Sequence, residues 1–193
     1  MNPSALIDAI KERFGDAVLS AHSYRGDATV VVRRDSLFNL ARTLKDDGSF
    51  QMNFLMDVTA VDYSAFGKKA APAFFASSGV RVSPPPEVPD EAPWPGPPAP
   101  TRFAVVYHFF SLRLKHRLRL VVAVENADLE LESLTPLWAG ADWLEREVWD
   151  MFGIRFRGHP NLKRILMYEE FVGHPLRKDY PVNRRQPLIG PVN

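Results

Sequence analysis

The run RFAVVYHFFSLRL (residues 102–114) constrains this chain more than any other stretch. From Phe103 to Phe110 both alternating faces are apolar. Such a strand has no side to turn toward water, so it belongs inside a sheet. In the next run, HRLRLVVAV (116–124), Leu118, Leu120, Val122 and Val124 alternate with Arg117, Arg119, Val121 and Ala123. That is the period of a strand with one better-buried face. The two runs predict an antiparallel pair, and FQMNFLMDVTAVDY (50–63) is a third β-rich segment.

Helical spacing flanks the strands. Leu6, Ile7, Ile10 and Phe14 share a face over residues 3–14, with Pro3 suited to the first turn and Gly15 to the stop. AVLSAHSY and ATVVV read as a hairpin with Gly26-Asp27 at its turn. Asp35 is placed to cap a helix carrying Leu37, Leu40, Ala41 and Leu44, which Gly48 ends. A further helix is expected over 135–152, where Leu137, Ala141, Leu144, Val148 and Phe152 recur, with Gly153 as its terminator. The expected fold is α+β, a mainly antiparallel sheet packed with helices, over residues 1–153. A proline-rich insertion interrupts it at 67–100, where nine of the seventeen prolines fall between Pro84 and Pro100. It reads as an elongated surface loop.

Residues 154–193 have no sustained period and are punctuated by glycine and proline, which is too long for an ordinary connection. Yet Ile154, Phe156, Leu162, Ile165 and Leu166 need cover. This segment carries eight Lys/Arg against three acids, while the net charge of the whole chain is +1. A basic, apolar-anchored, irregular arm is suited to wrapping an acidic partner surface. The first 153 residues are mildly acidic, so the chain is not the uniformly basic type that binds nucleic acid.

The chemistry-bearing residues yield no active site. With no cysteine at all, disulfides, thiolate zinc, a thiol nucleophile and a self-held iron–sulfur cluster are excluded. His159 and His174, with Asp179 or Glu169, are metal candidates. Each histidine sits in a Gly-His-Pro turn, however, where an imidazole on a backbone carbonyl or carboxylate is the simpler expectation. Glu147 and Asp150 lie three apart and meet on one helical face; they read as structural partners of arginines rather than as an acid/base pair. Asp142 and Arg146 have the spacing of a helical ion pair. No nucleophile elbow, phosphate loop or dinucleotide fingerprint occurs. No apolar run approaches the ~20 residues that span a bilayer, and MNPSALIDAIKERFGD, with its acids, is neither a secretory signal nor an organellar presequence.

The segments ADWLEREVWDMFGIRFRGHPNLKRIL and GHPLRKDYP resemble the 30 kDa subunit family of respiratory complex I, the bacterial NADH-quinone oxidoreductase. The resemblance extends through FLMDVTAVDY and VVYHFFSLRLKHRLRL, over most of residues 50–182. The first fifty residues match only in the order of their elements, and the 67–100 insertion is longer than the family leads one to expect.

The resemblance implies a core scaffold subunit of the hydrophilic arm of a proton-translocating NADH:quinone oxidoreductase, without an active site of its own. It implies packing on the quinone-site subunit and on neighbouring subunits of that arm. FMN and iron–sulfur clusters would reside on partner subunits, with no cofactor, metal or nucleic acid bound here. The chain would be peripheral on the cytoplasmic side of the bacterial inner membrane, meeting the membrane only through the complex. The equivalent subunit of an energy-converting hydrogenase or a ferredoxin-fed complex is the alternative. The residues carried over as assembly candidates in the helix are Glu145, Arg146, Glu147, Asp150, Phe152 and Gly153. In the arm they are His159, Arg164, His174, Pro175, Leu176, Arg177, Lys178, Asp179 and Tyr180, with Arg177 and Lys178 expected to meet carboxylates of the partner.

Overall fold

A computed structural model describes residues 2–66, 101–181 and 183–187; the proline-rich insertion lies outside them. Helix α1 (Pro3–Phe14) starts where Asn2 accepts the Ser4 N–H at 3.1 Å and ends at Gly15, whose φ is 45°. Strands β1 (Val18–Tyr24) and β2 (Asp27–Val32) form the hairpin. Its turn is Arg25-Gly26, not Gly26-Asp27: both residues have positive φ, 50° and 84°, as a two-residue turn matched to the strand twist requires. Asp27 is the first residue of β2.

Helix α2 (Leu37–Asp46) buries Leu37, Leu40, Ala41 and Leu44. Asp35 does not cap it. The carboxylate pairs with Arg33 at 3.1 Å, inside a short 3₁₀ turn that leads into the helix, and the helix ends at Asp46, before Gly48 is reached. Strand β3 (Phe54–Asp62) follows, then β4 (Phe103–Phe110) and β5 (Arg117–Val124). The sheet order is β1-β2-β5-β4-β3, antiparallel except that β2 and β5 run parallel. β4 therefore lies inside the sheet, as its two apolar faces require.

On one face, register places Val105 opposite Val122, Tyr107 opposite Leu120 and Phe109 opposite Leu118. These residues join α1, α2 and α3 (Ala141–Phe152) in one core. Each fully buried Leu or Phe there contributes on the order of 2 kcal/mol. The other face holds a small cluster of Val31, Ala104, Val106 and Val121.

α3 is six residues shorter at its start than the spacing suggests. Residues 135–140 form turns instead, with Trp138 packed 5.0 Å from Phe109. Beyond Gly153 a short strand β7 (Arg155–Arg157) pairs in parallel with β6 (Glu130–Glu132). It carries Ile154 and Phe156 into the core, so the arm is rooted in the body over its first residues.

Candidate docking site on helix α3 and the arm

The last turn of an α-helix leaves carbonyls without intrahelical partners. At the end of α3 the arm supplies the partners itself. His174 Nδ1 donates to the Asp150 carbonyl at 2.9 Å, the Leu176 N–H to the Met151 carbonyl at 3.1 Å, and Arg177 Nε to the Phe152 carbonyl at 2.5 Å. The Gly153 N–H closes on the Trp149 carbonyl at 2.8 Å. The segment Gly-His-Pro-Leu-Arg is thus a cap for Asp-Met-Phe-Gly, twenty or so residues upstream. Gly153 is required twice over: its φ is 75°, and a Cβ there would fall 2.6 Å from the His174 ring. Burial holds the His174 imidazole below its ordinary pKa, against the hydrogen bond to the Asp150 carbonyl.

Asp150 also fastens the arm through its side chain. Its Oδ2 accepts three successive backbone N–H groups, Ile165 at 3.1 Å, Leu166 at 2.9 Å and Met167 at 2.8 Å. Arg164 Nη1 donates to Oδ1 at 2.5 Å, and its Nη2 donates to the carbonyls of Phe171 and Gly173 at 2.8 and 3.1 Å. The guanidinium lies over the Trp149 and Phe171 rings. Burial works to raise the Asp150 pKa, but the N–H groups of Met167 and Leu166 and the Arg164 charge outweigh it, and the carboxyl stays below its ordinary range.

The neighbouring turns of α3 differ from the expected ion pairs. Arg146 does not pair with Asp142; it donates to the carbonyls of Lys163 and Arg164, each at 3.1 Å, with its guanidinium over Trp143. Asp142 meets His159 instead, whose Nε2 lies 3.1 Å from the Asp142 carbonyl and 3.4 Å from its carboxylate. His159 Nδ1 accepts the Asn161 N–H at 3.0 Å, so both Gly-His-Pro imidazoles serve backbone carbonyls. Glu147 is exposed and fixes no arginine among the described residues. Glu145 is fully buried, accepting from Ser133 Oγ at 2.6 Å and the Leu134 N–H at 2.7 Å. Among the described residues no three His, Asp, Glu or Cys side chains are grouped to hold a metal.

A second clasp joins residues that no sequence pattern links to one another, Lys178 and Asp179 of the arm with Asp62 and Arg102. Buried Asp62, the last residue of β3, receives Arg102 Nε at 3.1 Å and Nη2 at 2.8 Å, together with the Lys178 N–H at 2.8 Å. Arg102 continues to Asp179, its Nη2 2.7 Å from Oδ1. Burial opposes ionisation of Asp62, yet Arg102 and the Lys178 and Ser64 N–H groups hold its carboxyl far below the usual range. Asp62 and Arg102 flank the two ends of the 67–100 insertion, and the Tyr63 N–H bonds the Arg102 carbonyl at 2.7 Å. The arm therefore docks at the root of the insertion. Farther on, Tyr180 stacks on Phe171, 6.0 Å between ring centres, and Gln186 bonds the Val172 backbone in both directions.

These contacts turn most polar candidates inward and leave an outer surface of different character. Trp143 is 63% exposed and Leu176 49%, with Leu166 and Val172 similar. Lys163, Lys178, Arg184 and Arg185 are exposed as well, and their side chains form no ion pair among the described residues. Arg177, expected to meet a partner, has its Nε engaged within the chain and its guanidinium over Phe103.

The sequence profile described as "Respiratory-chain NADH dehydrogenase, 30 Kd subunit" matches residues 30–186. The chain belongs to this 30 kDa subunit family. A relative from Citrifermentans bemidjiense, named as an NADH-quinone oxidoreductase subunit, is 41% identical over 94% of this chain and 92% of its own length. Proteins of the same name from Geobacter sulfurreducens and Coxiella burnetii are 38% and 40% identical, over 94% and 97% of this chain and 92% and 79% of theirs. The likeness thus reaches well into the first fifty residues, which the signature segments alone do not connect.

Among solved structures, the trypsin-resistant fragment (1-134) of Nqo5 aligns with a TM-score of 0.59 and 27% identity, over 84% of this chain and all of that one. A chain from an archaeal membrane-bound sulfane sulfur reductase complex aligns with a TM-score of 0.60 at 17% identity, over 93% of this chain and 86% of that one, and shares the fold. The two segments quoted for the family resemblance, ADWLEREVWDMFGIRFRGHPNLKRIL and GHPLRKDYP, meet here in one intramolecular clasp. Among the described residues no helix is long and apolar enough to cross a membrane.

Proposed function

We propose that this chain is a non-catalytic scaffold in the hydrophilic arm of a proton-translocating NADH:quinone oxidoreductase, docking through the outer surface of its own C-terminal arm onto the quinone-site subunit. It contributes to electron transfer from NADH to quinone by holding partner subunits in place, while flavin and iron–sulfur clusters reside on those partners. Its place is peripheral, on the cytoplasmic side of a bacterial inner membrane, reached through the complex.

The observation that carries this reading is the division of labour in the arm. The charged residues Asp150, Arg164, Arg146 and Asp62 hold the arm to its own body. What remains exposed in the arm is Leu166, Val172 and Leu176, with Trp143 exposed on α3, and the exposed cations Lys163, Lys178, Arg184 and Arg185, which form no side-chain ion pair among the described residues. Exposed apolar and aromatic side chains together with uncommitted arginine and lysine have the composition of a protein interface rather than of a reaction centre. A prefolded arm also lowers the ordering cost of association.

The test is a mild-detergent purification of the tagged chain from its native membranes, with mass spectrometry and an NADH:quinone assay. Recovery of flavin- and cluster-bearing subunits with activity is expected. Recovery of a hydrogenase or ferredoxin-fed catalytic subunit in their place would transfer the scaffold role to that complex. A chain that purifies alone overturns the proposal.

A further inference from the structure

Glu145 stands apart from every other acid on α3. Its carboxyl is fully buried and no cation bonds to it. Its two oxygens take a hydroxyl and a backbone N–H, both from the turn that follows β6. Ser133 Oγ donates to Oε2 at 2.6 Å while contacting Thr135 Oγ1 at 2.8 Å, and the Leu134 N–H donates to Oε1 at 2.7 Å. That turn leads to Trp138, packed on Phe109, and to the Leu137 carbonyl, which receives Lys45 of α2. One carboxyl therefore ties α3 to the turn on which the edge of the core rests.

The groups that face Glu145 do not favour its charge. From β4, Tyr107 is fully buried, and its hydroxyl has no hydrogen-bond partner among the described residues. From α3 itself, Asp142 stands one turn away and adds like charge. The turn offers the neutral hydroxyls of Ser133 and Thr135, and Lys45 of α2 is engaged at the Leu137 carbonyl and over Trp138. Arg146, next in the helix, is committed to the arm. Burying an unpaired carboxylate in such surroundings is costly, whereas the neutral acid still accepts the Leu134 N–H on one oxygen and keeps the Ser133 contact with its direction reversed, the acid O–H donating to the hydroxyl oxygen.

The geometry points to Glu145 as a proton-linked latch: α3, and the arm clasped to its end, are seated most firmly when this carboxyl holds a proton, and loosen as it ionises. Burial, opposed by the Ser133 and Leu134 hydrogen bonds, places the transition at about 7, against 4.5 for an unperturbed glutamate. A carboxyl whose folded pKa exceeds its unfolded value stabilises most below the unfolded value, and that contribution falls until the folded value is passed. The window is therefore roughly pH 4.5 to 7. Over pH 5.5 to 8.5 these two values correspond to a fall of about thirtyfold in the folding constant.

His22, His108, His116 and His174, all lowered chiefly by burial, lose their contribution in the opposite direction, as pH falls. The comparison with Glu145→Gln removes them. Glutamine retains an acceptor for the Leu134 N–H and a donor for Ser133 Oγ, and it has no proton to lose.

The test is urea unfolding of the full chain and its Glu145→Gln variant from pH 5.5 to 8.5, with amide exchange of residues 165–167 at both ends of the range. The expected result is a wild-type folding constant falling about thirtyfold relative to the variant, with arm protection weakening in parallel. Parallel unfolding curves for the two proteins would overturn the latch. Should the variant fail to fold, carbon-13 titration of the glutamate carboxyls in the wild-type chain decides. A buried carboxyl titrating near pH 7, moving upward in Ser133→Ala, supports it, and the absence of any glutamate above about 5 overturns it.

Discussion

Arg164 and Asp150 lie fourteen residues apart, yet one guanidinium and one carboxylate, 2.5 Å from contact atom to contact atom, organise the arm from Arg164 to Gly173. Asp150 gathers three successive N–H groups and the guanidinium, and Arg164 gathers two carbonyls beyond them. Neither side chain can be removed without stranding backbone groups that have no nearby substitute. The arm is irregular because its hydrogen bonds are made to these two side chains rather than to a ladder.

Asp150→Ala is therefore expected to destabilise the chain by about 3–5 kcal/mol, the usual cost of breaking one side of a buried pair. Urea unfolding of the full chain measures it. Limited trypsin digestion should cut the variant after Lys163 and Arg164 under conditions that spare the wild type. A loss below about 1 kcal/mol would mean that the arm is held elsewhere.

Gly153→Ala tests the close passage of the arm over the end of α3. A left-handed conformation costs an L-residue roughly 1 kcal/mol before any contact is considered. Here the new methyl would also displace the His174 ring and the Arg177 guanidinium. The loss of stability should clearly exceed that figure, and the His174 ring resonances should shift in proton NMR. A variant as stable as the wild type would place the arm off Gly153.

The distal clasp predicts coupling. A double-mutant cycle with Asp62→Asn and Arg102→Ala should give an interaction energy of about 1–3 kcal/mol, since the two residues share one hydrogen-bond network. Both Asp62 and Asp150 hold pKa values below the ordinary carboxylate. Their contribution is complete above the unfolded value, about 3.9, and is lost as pH falls through the folded one. Stability measured from pH 4.5 downward should fall more steeply in the wild type than in Asp62→Asn.

The parts legible in the sequence are those with a period. β4, β5 and α1 announce themselves through apolar spacing, and they stand within a residue or so of where that spacing puts them. The hairpin turn is displaced by one because Arg25 takes a positive φ, a conformation an arginine seldom adopts. The spacing overstates α3 because Trp138 bonds back to Leu134 as a helical turn would. The parallel contact of β2 with β5, and the clasp linking Asp62 to Lys178, join residues about ninety and 116 positions apart. No local pattern encodes such pairs, so the arm can be recognised as anchored without its anchors being named. Arg177 shows the consequence. Its charge suggests a partner, while its position beneath the end of α3 gives it a carbonyl.

The final prediction separates folding from docking, using exposed residues that the clasp does not need. Leu176→Asp and the paired change Arg184→Glu, Arg185→Glu alter only the outer surface of the arm. Surface substitutions of this kind shift stability by about 0.5 kcal/mol or less, so both variants should unfold at nearly the wild-type urea midpoint. Association should nonetheless fail in a graded way. Burying an unpaired carboxylate where an apolar side chain packs costs about 2 kcal/mol or more, so Leu176→Asp should fall at least ~30-fold in recovery of partner subunits. The arginine reversals act through longer-range charge, so their effect should be largest at low ionic strength and shrink as salt screens it. NADH:quinone activity should drop only in proportion to the complex recovered. Variants that assemble fully and yet lose turnover would mean that this surface takes part in the chemistry, and the scaffold role would have to be abandoned.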